Sequence, residues 1–139
     1  MPATRTVTTL TAEGARTALD AALAHATELG VAVCIAVCDH AGHLLAFTRM
    51  DGAATLSVQL AQDKAYTVTA FGLPTADWYP MLAAEPALLH GIVKADRLMI
   101  FGGGVPVLHD GQIIGAVGAS GGTSEQDVAI ATAGAAAVR

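Results

Sequence analysis

Lys64 is the residue whose position in the sequence most clearly suggests chemistry. Residues 54–71 have the spacing of a helix, and at about 100° per residue Lys64 falls inside the apolar arc, between Val68 and Phe71. A lysine there must be paired, must extend its ammonium to an edge, or must line a cavity. Burial without a partner lowers the pKa of the amine and makes Lys64 a candidate base or Schiff-base amine.

A ligand-binding protein is the first of two interpretations that this position leaves open. Arg49, at the end of a predicted strand, suits a carboxylate clamp, and Lys64 would meet a second carboxylate of a flat anionic ligand. Phe71 would contact the ring of that ligand, and the glycines that follow residue 101 would let the backbone approach it closely. The predicted ligand-binding residues are Arg49, Ser57, Lys64, Phe71, Gly103 and Gly104.

A small metabolic enzyme without a metal is the second interpretation. Lys64 would be the acid–base group or the reactive amine, assisted by other polar side chains. The predicted catalytic residues are Lys64, Asp51, Tyr66 and His90. Asp51, which precedes the helix, is equally typical of a helix N-cap. No two histidines have the spacing of a metal motif, and the triple glycine does not match a nucleotide-binding fingerprint, so we expect neither metal nor nucleotide.

The composition fits one domain, residues 1–139, and limits its partners. The net charge is −5 with seven scattered Lys and Arg residues, which argues against nucleic-acid binding. No apolar run approaches the roughly 18 residues of a membrane span, and no export signal opens the chain, so we expect a cytoplasmic protein. Hydrophobic residues make up 53% and charged residues 14% of the chain, which indicates that subunit interfaces cover apolar surface.

Hairpins and long helices are the elements that must position these residues. The patterns predict strands at 4–10, 31–38, 43–50, 98–101, 105–108 and 112–119, and helices at 12–29, 54–71, 75–81, 86–93 and from 124 onward. If residues 98–108 form one strand, the total is five. The expected fold is therefore of the α/β (α+β) class, a mostly antiparallel five-stranded sheet flanked by helices.

Several segments together resemble the GlcG/HbpS family, whose members include PduO C-terminal domains. The resemblance runs over roughly residues 7–137 in family order. The matching segments are Val33–Ala46, the R-M-D-x-A element Arg49–Ala53, the K-A-x-T element Lys64–Thr67, the run Gly102–Val107 with its G-G-x-P-V element, the run Asp110–Gly122, and the pair Gln126-Asp127.

The family resemblance adds expectations that the residues alone do not give. It implies even-numbered homo-oligomers, often octamers, and haem as the ligand of some members. By family gene context, the alternative enzyme would act on a small carboxylate or an aromatic ring-cleavage product. Lys64, Arg49, Asp51 and the Gly103-Gly104 turn match family motif positions, whereas no haem-ligating histidine can be carried over to this chain.

Overall fold

A computed structural model describes the whole chain, Met1–Arg139, as five α-helices and one four-stranded sheet. The helices are α1 (Ala12–Leu29), α2 (Leu56–Phe71), α3 (Trp78–Leu82), α4 (Pro86–Ile92) and α5 (Ser124–Ala136), and the strands are β1 (Cys34–Asp39), β2 (Leu44–Arg49), β3 (Gly104–His109) and β4 (Gln112–Ser120). A short 3₁₀ turn at Thr75–Asp77 precedes α3. The predicted long helices are confirmed. None of the helices combines the length and the apolar character that crossing a membrane requires.

The sheet is antiparallel throughout, with the strand order β2-β1-β4-β3. Both outer pairs are hairpins, as predicted, and the two inner strands pair with Val37 opposite Val117. The β3–β4 turn is formed by Asp110 and Gly111, which both have positive φ, 50° and 76°, as a two-residue hairpin turn requires. The α+β class with an antiparallel sheet is therefore confirmed.

The number of strands was predicted one too high. Residues 4–10 have the alternating pattern of a strand, but no strand lies beside them, and residues 1–9 are exposed. Leu10 is joined to the sheet through its N–H, which is donated to the carbonyl of Ile114 (2.9 Å), and the hydroxyl of Thr9 accepts the N–H of His40 (3.2 Å) in the β1–β2 turn. Residues 98–101 are not a strand either, because the N–H of Met99 is donated to the side chain of Thr67 on α2.

The sheet separates two layers of helix. Helices α1 and α5 cover one face and α2 covers the other. The larger core lies under α1 and α5. There, alanines of α1 pack against Ile35 and Val37 of β1 and against Val33, the residue before β1. The smaller core lies under α2, where Ala61, Ala65 and Val68 meet the other face of the sheet.

The backbone of helix α2 lies directly against β4 at Gly118, which has no side chain. A Cβ atom at that position would collide with the carbonyl oxygen of Ala61 and would lie 2.8 Å from the backbone nitrogen of Ala65. The residues that follow Ala61 on the inner face of α2, including Lys64, are consequently pressed onto β4. This close packing determines the surroundings of Lys64.

Candidate functional site around Lys64 and Phe71

Lys64 lies on the inner face of α2 and is only 1% exposed. Its Nζ donates to the carbonyl oxygen of Ala119 on β4 (2.9 Å) and to Oδ2 of Asp127 on α5 (3.2 Å). Asp127 is 3% exposed, and its Oδ1 accepts the N–H of Gly122 (2.9 Å). The ion pair thus joins α2, β4 and α5 through the interior of the domain.

The surroundings of the amine act on its charge in opposite directions. Burial lowers the pKa of Lys64, and the neighbouring carboxylate of Asp127 partly offsets that effect. The ring of Phe101 lies over the amine, with its centroid 4.9 Å from Nζ. Of the three situations that the sequence allowed for Lys64, the structure shows the paired one.

Asp127 is the partner that the sequence did not reveal. In the sequence it stands in the first turn of the last helix, where an acidic residue favours the helix dipole and needs no further explanation. The capping box formed by Thr123 and Gln126 fixes the start of α5 and therefore turns Asp127 inward. Lys64 in the apolar arc of α2 indicated that a buried partner could exist, and the family match at Gln126-Asp127 did not identify that partner.

Gly103 and Gly104 lie against Lys64. A Cβ at Gly103 would stand 2.5 Å from the carbonyl oxygen of Ala119 and 2.7 Å from Nζ of Lys64, and the φ of Gly103 is +134°. A Cβ at Gly104 would stand 2.5 Å from the carbonyl oxygen of Lys64. Here the glycines let the chain pass close to the lysine, while their predicted contact with a ligand stays a prediction.

Arg49, Asp51 and Ser57 lie at the other end of α2. The guanidinium of Arg49 donates to the carbonyl of Ala53 (2.9 Å), Asp51 is exposed, and Ser57 is buried in the first turn. Ser57 and Lys64 are seven residues apart, which is about 10 Å along a helix axis. Within one chain these residues therefore do not form a single pocket with Lys64.

Tyr66 and Phe71 border an apolar cleft at the C-terminal end of α2, which we call the Phe71 cleft. Its volume is about 240 Å³, and it is lined by Tyr66, Thr67, Ala70, Phe71, Trp78, Ile92, Ala95, Asp96 and Leu98. The rings of Phe71 and Trp78 are 4.7 Å apart, and Phe71 is 62% exposed although the helical pattern placed it in the apolar arc. His90, on α4, is exposed and does not line the cleft.

Trp78 is a further residue of this cleft that the sequence analysis did not select. Its side chain is 2% exposed, and its buried Nε1 has no hydrogen-bond partner. An unpaired buried donor costs free energy and is uncommon in folded proteins. A lone tryptophan in a predicted short helix gives no signal of this kind, because the cleft exists only once α3 folds against α2.

The remaining titratable groups of the interior do not form a reactive or metal-binding cluster. Burial raises the pKa of the Cys38 thiol to about 11, and burial also raises the pKa of Cys34. Both cysteines are free and buried, which suits packing rather than nucleophilic chemistry. No three His, Cys, Asp or Glu side chains converge in a way that could hold a metal ion.

Comparison with known proteins assigns the chain to a family. Residues 10–136 match the family model described as haem degrading protein HbpS-like. The chain belongs to the HbpS-like family. The resemblance seen in the sequence motifs is thereby confirmed, and the family match covers all five helices and the sheet, including the Phe71 cleft.

Individual relatives of this HbpS-like chain agree with that assignment. An uncharacterised 15.0 kDa protein from the dhaT-dhaS intergenic region of Citrobacter freundii is 40% identical over 124 residues, covering 87% of this chain and 86% of that protein. The crystal structure of Klebsiella pneumoniae ORFY has a TM-score of 0.93 at 34% identity, covering 99% and 96% of the two chains. The structure of a PduOC complex with haem has a TM-score of 0.83 at 30% identity, covering 94% and 96%.

Proposed function

We propose that this protein binds a flat, largely apolar ligand of the haem class in the Phe71 cleft. The observation that carries the proposal is the aromatic lining of the cleft, where the half-exposed Phe71 stands against the buried Trp78. An exposed aromatic ring beside a concave apolar surface is typical of a ligand site and costs free energy in water without one. The family model and the haem complex of a relative support the same class of ligand.

The residues of the cleft fit the ring of such a ligand. Phe71, Trp78 and Leu98 offer apolar surface, and the cleft contains one acidic side chain, Asp96. At about 240 Å³ the cleft is smaller than a typical pocket for a whole cofactor, which measures roughly 300–1,000 Å³. One chain would therefore hold one edge or face of the ring, and a second subunit would cover the other.

Catalysis by Lys64 is the weaker alternative and stays a prediction. The amine is 1% exposed and already donates to two buried oxygens. A substrate would reach it only after Phe101 and the following glycines moved aside. Assembly into an even-numbered homo-oligomer, such as an octamer, is part of the binding proposal because it would close the cleft. The proposal includes a cytoplasmic location.

An absorbance titration with haem tests the proposal. We expect a saturable, stoichiometric shift of the Soret band with the wild-type protein. Phe71→Ser should weaken binding at least about tenfold, since one aromatic wall is worth on the order of 1.5 kcal/mol. Leu29→Ser is the matched control, because Leu29 is a half-exposed apolar residue at the end of α1, on the opposite helical layer, and its loss should leave the titration unchanged.

Two results would contradict haem binding in this cleft. Wild-type protein that shows no shift, or only uptake without saturation, would remove haem as the ligand. Equal binding by the Phe71→Ser variant and the wild type would place any haem elsewhere on the protein.

A further inference from the structure

A second cleft, separate from the Phe71 cleft, lies between the β1–β2 hairpin and α2. Its volume is about 350 Å³. The hairpin contributes His43 and Leu44, and α2 contributes Gln59, Gln62 and Ala65. Arg97, from the segment after α4, completes the lining, so we call this the Arg97 cleft. Most of its side chains carry hydrogen-bonding groups, unlike those of the Phe71 cleft.

Arg97 is held firmly, yet the end of its side chain stays free. Its Nε donates to Oδ1 of Asp63 (2.8 Å), and the same oxygen accepts a hydrogen bond from Nε2 of Gln59 (2.8 Å). The guanidinium carbon lies 4.1 Å from the centroid of the Tyr66 ring. All hydrogen bonds of this guanidinium within the chain go through Nε, so its two terminal nitrogens remain available as a fork.

The backbone at Arg97 is held in an unusual conformation. Its φ is 64°, in the left-handed region that residues other than glycine seldom occupy. The hydroxyl of Thr67 lies 2.9 Å from the carbonyl oxygen of Arg97 and 2.8 Å from that of Asp63, which share its one hydrogen, and it accepts the N–H of Met99 (3.0 Å). Residues held in this region cluster at active sites and ligand clamps.

We propose that the Arg97 cleft binds a small organic carboxylate, with the two terminal nitrogens of Arg97 donating to its two oxygens. A fixed guanidinium fork matches the planar geometry of a carboxylate, and the amides of Gln59 and Gln62 stand beside it. Because Arg97 is already paired with Asp63, the cleft has no net positive charge, and a singly charged carboxylate meets less electrostatic opposition there than a doubly charged phosphate. Leu44 and Ala65 supply apolar surface for its carbon atoms.

This site does not depend on haem binding. Tyr66 separates the two clefts, because its ring stacks with Arg97 and also lines the Phe71 cleft. A variant that loses haem binding can therefore still be tested for carboxylate binding, and the reverse. A protein that fails to bind haem but binds a carboxylate at Arg97 would overturn only the first proposal.

Titration with sodium benzoate, followed by two-dimensional NMR of the full chain, tests the proposal. We expect saturable shifts concentrated at the side-chain amides of Gln59 and Gln62 and at the backbone of His43. Benzamide, which has the same shape without the charge, should bind at least tenfold more weakly. Wild-type protein without saturable shifts at these groups, or with equal affinity for benzamide, would overturn the proposal.

Two pairs of variants locate the binding. Gln62→Glu adds a negative charge inside the cleft, where the side chain donates only to the carbonyl of Val58 in its own helix, so the fold should persist and benzoate affinity should fall at least tenfold. Gln112→Glu, on the exposed end of β4, makes the same charge change elsewhere and should leave affinity unchanged.

The second pair of variants tests the guanidinium group of Arg97. Arg97→Gln should abolish benzoate binding, while Arg16→Gln, which removes an arginine from a different cleft beside α1, should not change it. Benzoate affinity that survives Arg97→Gln and Gln62→Glu would overturn the proposal, as would equal losses in the control variants.

Discussion

At the scale of single residues, the pair formed by Lys64 and Asp127 is the strongest electrostatic feature of the protein. Two opposite charges lie in the interior, and each also has a backbone partner: the carbonyl of Ala119 for the lysine and the N–H of Gly122 for the aspartate. A buried pair of this kind adds little net stability compared with apolar residues, but removal of one member leaves an uncompensated charge. The pair therefore fixes how α2 and α5 meet across the sheet.

Lys64→Met should lower the free energy of unfolding by about 3–5 kcal/mol, because the carboxylate of Asp127 would remain buried without its partner. The double variant Lys64→Met, Asp127→Asn should be more stable than the single one, although it carries a second substitution. Urea denaturation of the three proteins measures both differences.

Lys94→Met is the control for this experiment, since Lys94 is exposed and its loss should change the stability by less than about 0.5 kcal/mol. If Lys64→Met is as stable as the wild type, the ion pair with Asp127 does not stabilise the fold. That result would favour the predicted catalytic role of the Lys64 amine.

At the scale of elements, the contact of α2 with the sheet depends on a missing side chain. Gly118 stands where a Cβ would meet the backbone of α2 at Ala61 and Ala65. The backbone of α2 cannot rotate out of the way as the end of a flexible side chain can. A methyl group at position 118 must therefore displace the whole helix. Such a shift would also disturb the Lys64 pair one turn further along α2.

Gly118→Ala should therefore destabilise the fold by more than about 3 kcal/mol, which is the upper end of ordinary overpacking. Gly91→Ala is the matched control, because a Cβ at Gly91 in α4 would meet nothing within 4 Å. That change should be neutral or stabilising by up to about 1 kcal/mol, since alanine favours helix. Thermal unfolding of both variants measures the difference. If Gly118→Ala and Gly91→Ala have similar melting temperatures, α2 can shift on the sheet without loss of stability.

Elements with local signals could be predicted from the sequence, whereas those that need a distant partner could not. Helix α1 was predicted with its bounds, because Thr11 caps it and Gly30 ends it within the same segment. Residues 4–10 have the pattern of a strand but lack a neighbouring strand, and residues 98–101 are tied to Thr67 instead.

The same distinction applies to the candidate sites. Lys64 was selected because its own helix pattern is broken by a charge, and that signal is local. The partner Asp127 and the position of Arg97 depend on contacts between residues more than 30 positions apart. The cleft of Trp78 depends on how α3 packs against α2, which no local pattern specifies. Nothing in the local pattern around Arg97 indicates a left-handed backbone.

At the scale of the whole molecule, large apolar side chains are exposed on several elements of the chain. Leu56 is 74% exposed, Leu108 is 55% exposed and Leu44 is 50% exposed, and they lie at the start of α2 and on the two outer strands of the sheet. Exposed apolar residues on several elements are typical of subunit interfaces. The proposed even-numbered assembly accounts for them.

We expect sedimentation velocity of the wild-type protein at micromolar concentration to show a homo-oligomer with an even number of subunits. Leu56→Glu should reduce the size of the assembly, because it places a charge on the most exposed leucine of the chain. Thr17→Glu, on the exposed side of α1, should leave it intact. A wild-type protein that sediments as a monomer would contradict the proposal, and circular dichroism would show whether each variant is folded.

The position of Trp78 has a practical consequence for every one of these measurements. It is the only tryptophan in the chain, it is buried, and it lines the Phe71 cleft. Its fluorescence therefore comes from one known place, with the short-wavelength emission of an indole shielded from water. A haem bound in that cleft would quench the Trp78 fluorescence by energy transfer. Benzoate bound in the Arg97 cleft, on the other side of Tyr66, would leave that fluorescence unchanged. The protein thus carries a built-in optical label that distinguishes occupation of one cleft from occupation of the other.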